Sequence, residues 1–451
     1  MGARFLAGLL ALCFASPVLG QDGKAAAGSA NGKASAQLPP GFRPPPPPPP
    51  ELQIEKELYT EEQEAAFRKQ TVALQKVLRS GKVDAAARKL LEQAAEHYLF
   101  RLTMKKYRRE LSDRRRELLR VLRFANGEAR TEFLKLIVEK VPKLFDNHLY
   151  VRIQAAMLLG ELNLQEASRT RNQPAKPYVP AYKPLLQLIA DPKQPTAVKI
   201  AAVVSLQRIL RDGETEQRNN QWREEAALVL SRELQRRDTH RWYQFRLAEA
   251  LGYVDVLATA EDRSKPFVVQ TLAEVLSDQK RHWLVRAAAA KSLGRLPLDS
   301  TINTGLLVYQ IASLAHQMAT RQMQDPKAWY WSRAFTYVYL AFKPEDAAEQ
   351  ARGYGLLNRL RDRSVTELYD LLVPMIRHFL SVNAGNPLPQ DQVAKLAGWL
   401  QQHKPADLRV APGMPALTTA RRANGAVIDR TQGGRVCASS REHRPRRPAT
   451  T

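Results

Sequence analysis

Apolar residues recur along this chain at helical spacing, and four of the resulting blocks repeat nearly the same phrase. The clearest copy is Val285-Arg286, then Ala289-Ala290, then Leu293-Gly294. Val151 to Gly160, Val198 to Gln207 and Tyr243 to Gly252 are the others, and successive copies start 47, 45 and 42 residues apart. Each phrase is the apolar stripe of one helix, and each is preceded by a second amphipathic stretch. A period of about 40–47 residues with two helices per unit predicts stacked helical hairpins, because one hairpin cannot bury its own apolar face.

Dividing the chain on this pattern gives first helix, then second helix, for each unit. The first spans 129–144 and 150–162, the second 182–190 and 197–210. The third spans 222–236 and 242–254, the fourth 266–277 and 284–296. A degenerate fifth pairs 305–324 with 328–342. A helical pair, 345–360 with 365–382, and a capping helix at 390–402 complete the pattern. Upstream, 58–124 reads as helix throughout, with Met104, Tyr107, Leu111, Leu118 and Leu122 as its apolar stripe. Lys105, Lys106, Arg108, Arg109, Arg114, Arg115, Arg116, Arg120 and Arg123 crowd the opposite face, diluted by Glu110, Asp113 and Glu117. Between the first two units, Ser168 to Pro180 reads as an insertion loop.

The ends read differently. Arg4, the apolar run Phe5 to Ala15 and the small residues before Gln21 predict a secretory leader over 1–20, and so an exported protein of the periplasm, cell envelope or extracellular space. The run is too short to span a bilayer, and no later segment is long enough. Residues 21–57 form a low-complexity and polyproline linker, in which Pro44 to Pro50 predicts a polyproline II rod. The tail 404–451 is arginine-rich, lacks periodicity and is expected to be disordered. Cys13 lies in the leader and Cys437 in the tail, so the body has no disulfide to make.

Charge sharpens the list of partners. The chain carries 69 basic and 45 acidic residues, a net of +24, of which +16 falls between Leu58 and His403. A field of that sign favours nucleic acid, acidic polysaccharide, anionic lipid or an acidic protein. No phosphate loop, HExxH, CxxC or GxSxG motif occurs. The eight histidines show no metal spacing, so no catalytic residue, metal or cofactor is expected.

Three further features give the pattern a family resemblance. Prolines stand within or at the start of first helices (Pro142, Pro184, Pro266). Aspartates stand in the turns (Asp146, Asp191, Asp238, Asp278, Asp325). Basic residues stand near the start of second helices (Arg152, Lys199, Arg286). This resembles the HEAT repeat, an armadillo-type hairpin, and the leader, linker and basic body are similar to those of secreted bacterial HEAT-repeat proteins. The resemblance covers 129–300 well and 301–403 weakly. It implies an all-α fold, a right-handed α-solenoid of HEAT-like helical hairpins with disordered N- and C-terminal segments. It also implies a ladder of aspartates and basic residues along neighbouring repeats. The third copy departs from it, with Gln244 at the basic position.

The resemblance says little about function, because the same scaffold serves many roles. One family branch is lyase-like, which keeps an enzyme as an alternative. The turns offer a more concrete candidate. They read His148 and Tyr150, then His240-Arg241-Trp242-Tyr243, then Lys280-Arg281-His282-Trp283, then Lys327 with Trp329-Tyr330-Trp331. Equivalent turns of stacked hairpins line up along one edge, where cations and flat rings suit sugars or anionic polymers. The plain alternative is that the rings pack against the next repeat. The leading expectation is a non-enzymatic scaffold that binds a protein or an anionic polymer, an envelope polysaccharide among them. A nucleic-acid-binding solenoid, supported by charge alone, is the second.

Overall fold

The computed structural model describes residues 49–168, 170–213, 220–381 and 385–414, which belong to one compact unit beginning at Pro49. Helix dominates it. The first group is α1 (Glu61–Arg68), α2 (Thr71–Ser80), α3 (Ala85–Phe100) and α4 (Leu111–Leu122). Paired helices follow: α5 (Gly127–Lys140) with α6 (Leu149–Glu161), α7 (Tyr182–Ala190) with α8 (Thr196–Asp212), and α9 (Gln221–Gln235) with α10 (Arg241–Leu251). Two more pairs are α11 (Phe267–Ser277) with α12 (Trp283–Leu293), and α13 (Thr304–Gln324) with α14 (Trp331–Phe342). The short α15 (Ala347–Ala351) and α16 (Leu356–Arg359) precede α17 (Arg363–Phe379) and α18 (Gln390–Gln402).

Two rows of helices result. Helices α4, α6, α8, α10, α12, α14 and α17 pack side by side in that order. In the other row α3 packs on α5, and α7, α9, α11, α13 and α18 follow one another. The 3₁₀ turn Val179–Ala181 stands between α5 and α7. The turns joining a first helix to its second are short: 145–148, 191–195, 236–240, 278–282 and 325–330. The return connections are longer and more varied, from 213–220 to 162–181.

The repeated phrase falls on α6, α8, α10 and α12, and its glycines show why it repeats. A Cβ on Gly160 would lie 2.7 Å from the Ser205 Cα, and one on Gly252 would lie 3.0 Å from the Ser292 Cα. One on Gly294 would lie 2.0 Å from the Ala341 carbonyl oxygen. In each case the end of one helix touches a small residue on the next helix of the same row. The alanines between let the row close further. Every residue of α12 from Leu284 to Leu293 is buried.

Several expectations change. The stretch 58–124 is broken rather than continuous. A left-handed Gly81 (φ +71°) ends α2, and 3₁₀ turns at Arg101–Thr103 and Lys105–Tyr107 separate α3 from α4. Pro142 turns the end of its helix into a 3₁₀ segment, Val141–Leu144, as a ring without an N–H must. The insertion is not an open loop but a small antiparallel pair, Asn163–Gln165 with Lys176–Pro177, extended by a Ser168–Gln173 bridge. Arg130 holds it by donating to the Asn163 and Leu164 carbonyls.

The linker is docked where it can be described. Pro50–Leu52 is a 3₁₀ turn, Lys56 pairs with Asp146 at 2.8 Å, and the Lys105 N–H donates to Glu57. The ordered body does not stop at His403. The Asn303 N–H donates to the Val410 carbonyl at 2.7 Å, and Val410 and Ala411 are buried. The single helix expected at 345–360 is instead two short ones, α15 and α16. Between them stands Gly355 at φ +98°, where a Cβ would lie 2.5 Å from the Phe342 carbonyl oxygen. The leader, the prolines Pro44 to Pro48 and residues 415–451 lie outside the described residues.

Two glycine substitutions separate the contact from generic helix effects. Gly294→Ala should cost at least about 3 kcal/mol, because backbone stands where the methyl would go. Gly398→Ala, inside α18 with nothing near its Cβ position, should gain about 1 kcal/mol. Urea denaturation at unchanged m-value reads both.

Candidate functional site

The turn edge is built from histidine caps. His148, His240 and His282 are the N-cap residues of α6, α10 and α12, each with φ between −52° and −62°. In each, the ring Nδ1 accepts the N–H two residues on (Tyr150, Trp242 and Leu284) at 3.2 Å. An imidazole accepts there only while neutral, and a cation at a helix N-terminus is disfavoured. Burial first, and then Arg108, lowers the pKa of His148. Burial first, and then Arg241, lowers that of His282.

The aromatic residues of the turns divide by depth. Tyr243 and Trp331 are buried, and the Tyr243 hydroxyl donates to Glu233 at 2.8 Å. The Trp331 indole N–H donates to the Asp325 carbonyl at 2.7 Å. Trp283 packs on Trp331 at 5.7 Å, with the Arg286 guanidinium over its ring. These rings are core, as the plain alternative holds. Tyr150 is half exposed and leans on His148 alone.

The remaining rings converge from three hairpins. Trp242, at the start of α10, stacks on Trp329 at 6.2 Å and 30°. Arg333 lies over Trp242, Phe245 and Tyr337. Tyr330 touches both Trp329 and His282. Trp329 is 60% exposed, the largest aromatic surface among the described residues. On the same turns, Arg241, Lys280 and Lys327 are exposed and without a partner among the described residues, whereas Arg281 turns inward to Gln244 and the Leu234 carbonyl.

The expected ladder of aspartates and basic residues does not form, because the basic residues serve backbone carbonyls and other partners instead. Arg152 donates to the Asn147 carbonyl, and Arg286 to the Leu276 carbonyl and Gln317. Lys199 pairs with Glu233 at 3.0 Å. Gln244 performs the same capping, donating to the Thr239 and Arg237 carbonyls, so the departure in the third copy keeps the function. Asp146 binds Lys56, Asp191 binds Gln194, and Asp238 approaches only Arg236. Asp278 alone crosses to a neighbouring turn, meeting Arg237 at 3.1 Å.

The cationic face expected at 105–123 is partly neutralised from within. Arg115 is buried on Glu161, and Arg114 pairs with Glu110 and Glu117. Lys106 meets the buried Glu64, which also receives Arg101 and Tyr107. Burial alone would raise Glu64, but Lys106, Tyr107 and Arg101 hold it at about 2.

A charged centre at the C-terminal end of α12, away from the turn edge, escaped sequence reasoning. Because α12 is wrapped on all sides, α10 and α14 meet across it, and the Tyr337 hydroxyl donates to Glu249. Lys291 reaches Glu345 at 2.5 Å. Arg295 grips Glu349 with two donors, at 3.0 and 2.6 Å. Burial first, and then Arg295, lowers the pKa of Lys291. Burial pushes Tyr337 up, and Glu249 adds to it. Every charge in this centre has a partner, which makes it a clasp rather than a reactive site. The only advance signal was a lysine and an arginine set into an alanine-rich stripe. A groove of about 340 Å³ lined by Gln75, Leu78, Glu117, Arg120, Val121 and Phe124 lies elsewhere, and its one carboxylate is already paired. Among the described residues no group of three metal-type ligands occurs, and no helix is long and apolar enough to cross a membrane.

Comparison with protein-family models, with curated proteins and with solved structures finds no match.

Two measurements probe this architecture. Glu349→Ala should destabilise by about 3 kcal/mol, since it leaves the buried Arg295 charge with only the more distant Glu345, at 3.6 Å. Replacing both by methionine should cost less, and urea melts compare the two. Acid should act through the histidines. His148 and His282 have lowered pKa values, and burial with Arg101 holds His97 at about 3. Their contribution is complete above pH about 6.5 and is lost as pH falls through the folded values. A His148→Asn, His282→Asn variant, which caps without titrating, should lose less stability than the parent between pH 7 and 5.

Proposed function

We propose that this chain is an exported, non-enzymatic scaffold, a right-handed α-solenoid of HEAT-type hairpins that binds an anionic polymer or an acidic protein along its turn edge. The two rows of alternating helices and the recurring glycine contacts support the architecture. Export rests on the leader read from the sequence. The binding role rests on one observation above all: Arg241, Lys280 and Lys327 stand exposed and without a partner among the described residues on three successive turns, the same turns that carry the 60% exposed Trp329 and its stacking partner Trp242. Unpaired cations in one neighbourhood attract polyanions and steer their approach.

Binding of the full chain to sulfated polysaccharide, to poly-glutamate and to duplex DNA, followed across a salt series, tests this reading. The expected result is an affinity that falls linearly on log–log axes with salt, with a shallower slope for an Arg241→Ala, Lys280→Ala, Lys327→Ala variant. A flat salt response, or an unchanged slope in that variant, would sink the proposal. Tighter binding of DNA than of the other two would favour the nucleic-acid reading instead.

A further inference from the structure

We infer that the Trp329–Trp242 stack is a sugar-ring subsite and that the polymer it serves is an acidic glycan. This rests on the scaffold reading above and narrows it. Trp329 is held by Trp242 on one side and Tyr330 at its edge, and Trp242 is itself backed by Arg333. The ring is therefore fixed before any ligand arrives, and a rigid aromatic surface binds without a large ordering cost. Yet it is 60% exposed, while its companions Tyr243 and Trp331 are buried. A core ring would be covered, and a surface ring without a role would not be braced by a second hairpin. Its free face is flat and apolar, which suits the C–H face of a pyranose.

The cations select the class. Arg241, Lys280 and Lys327 supply one charge per turn. Neighbouring packed helices lie about 8–10 Å apart, so these charges are widely spaced. A duplex nucleic acid presents one phosphate per about 3.4 Å of helix axis on each strand, a denser row of charge than these three cations can follow. A glycan with a carboxylate on every ring or every second ring presents charges alternating with flat C–H surface, as the ridge does. An acidic protein segment would offer charges but no matching ring face.

The test uses the full chain, tryptophan fluorescence and calorimetry with four probes: an oligogalacturonate, a neutral oligoglucoside of equal length, polyphosphate and poly-glutamate. The oligogalacturonate should bind and perturb tryptophan emission, and the neutral sugar should bind far more weakly. Trp329→Ala should weaken oligogalacturonate binding about tenfold, the scale of one lost stacking contact, and leave polyphosphate binding unchanged. Trp329→Phe should restore part of the loss. Trp329 is exposed, so its variants should retain the parent's circular dichroism and melting temperature. If Trp329→Ala leaves oligogalacturonate binding untouched while the triple cation variant abolishes it, the glycan subsite is wrong and the scaffold reading stands. Equal, Trp329-independent binding of poly-glutamate has the same meaning. If no polyanion binds the parent chain, both readings fail.

Discussion

The close approach of each helix in the phrase-bearing row to the next is the constraint on which the rest depends. At Gly160, Gly252 and Gly294 the absence of a side chain lets the neighbouring Ser205, Ser292 or Ala341 come within a distance that no Cβ permits. Helix spacing follows from the residues at the contact. Small residues here pull the row tight enough that α10 and α14 touch across α12. From that one geometric fact come the complete burial of α12, the charged clasp of Lys291, Arg295, Glu345 and Glu349, and the meeting of Trp242 with Trp329.

Tight packing of this kind makes burying charge unavoidable. Lys291 near the end of α12 and Arg295 just beyond it are both buried, and each must find an acid. Glu345 and Glu349, on and just before α15, supply them. The segment after α14 thus supplies both acids, and the Asp346 carboxylate caps α15 by accepting the Glu349 N–H. Such pairs contribute little net stability but make alternative packings expensive, because each would strand a charge.

The helices were legible in the sequence because their stripes are long and their turns short: α7 and α18 fall on the expected boundaries, and the phrase lands on α6, α8, α10 and α12. The breaks at Lys105–Tyr107 and around Gly355 were not legible, since helix formers surround them and tertiary contacts decide the outcome. The ladder was misread for a related reason. Spacing fixes the face on which Arg152 or Arg286 sits, but not whether an aspartate or a carbonyl is nearer. The turn edge carries the rings and cations that the sequence sets between paired helices. Sequence could not sort it by depth, because Trp331 and Trp329 have the same chemistry and opposite exposure. The histidine caps were visible as residues but not as caps, since histidine is not among the usual residues at that position.

The two edges of the hairpins differ in how much they can vary. On one, every turn is held to four to six residues between 145–148 and 325–330, and its residues carry the caps and the cross-turn contacts. On the other, connections range from eight residues to the twenty of 162–181, where a whole β-pair has been accommodated without disturbing α6 or α7. The chain thus separates where it can change from where it cannot. An added segment can be taken up along the return edge without moving the helices, whereas an added residue on the turn edge would displace a histidine cap or a cross-turn contact.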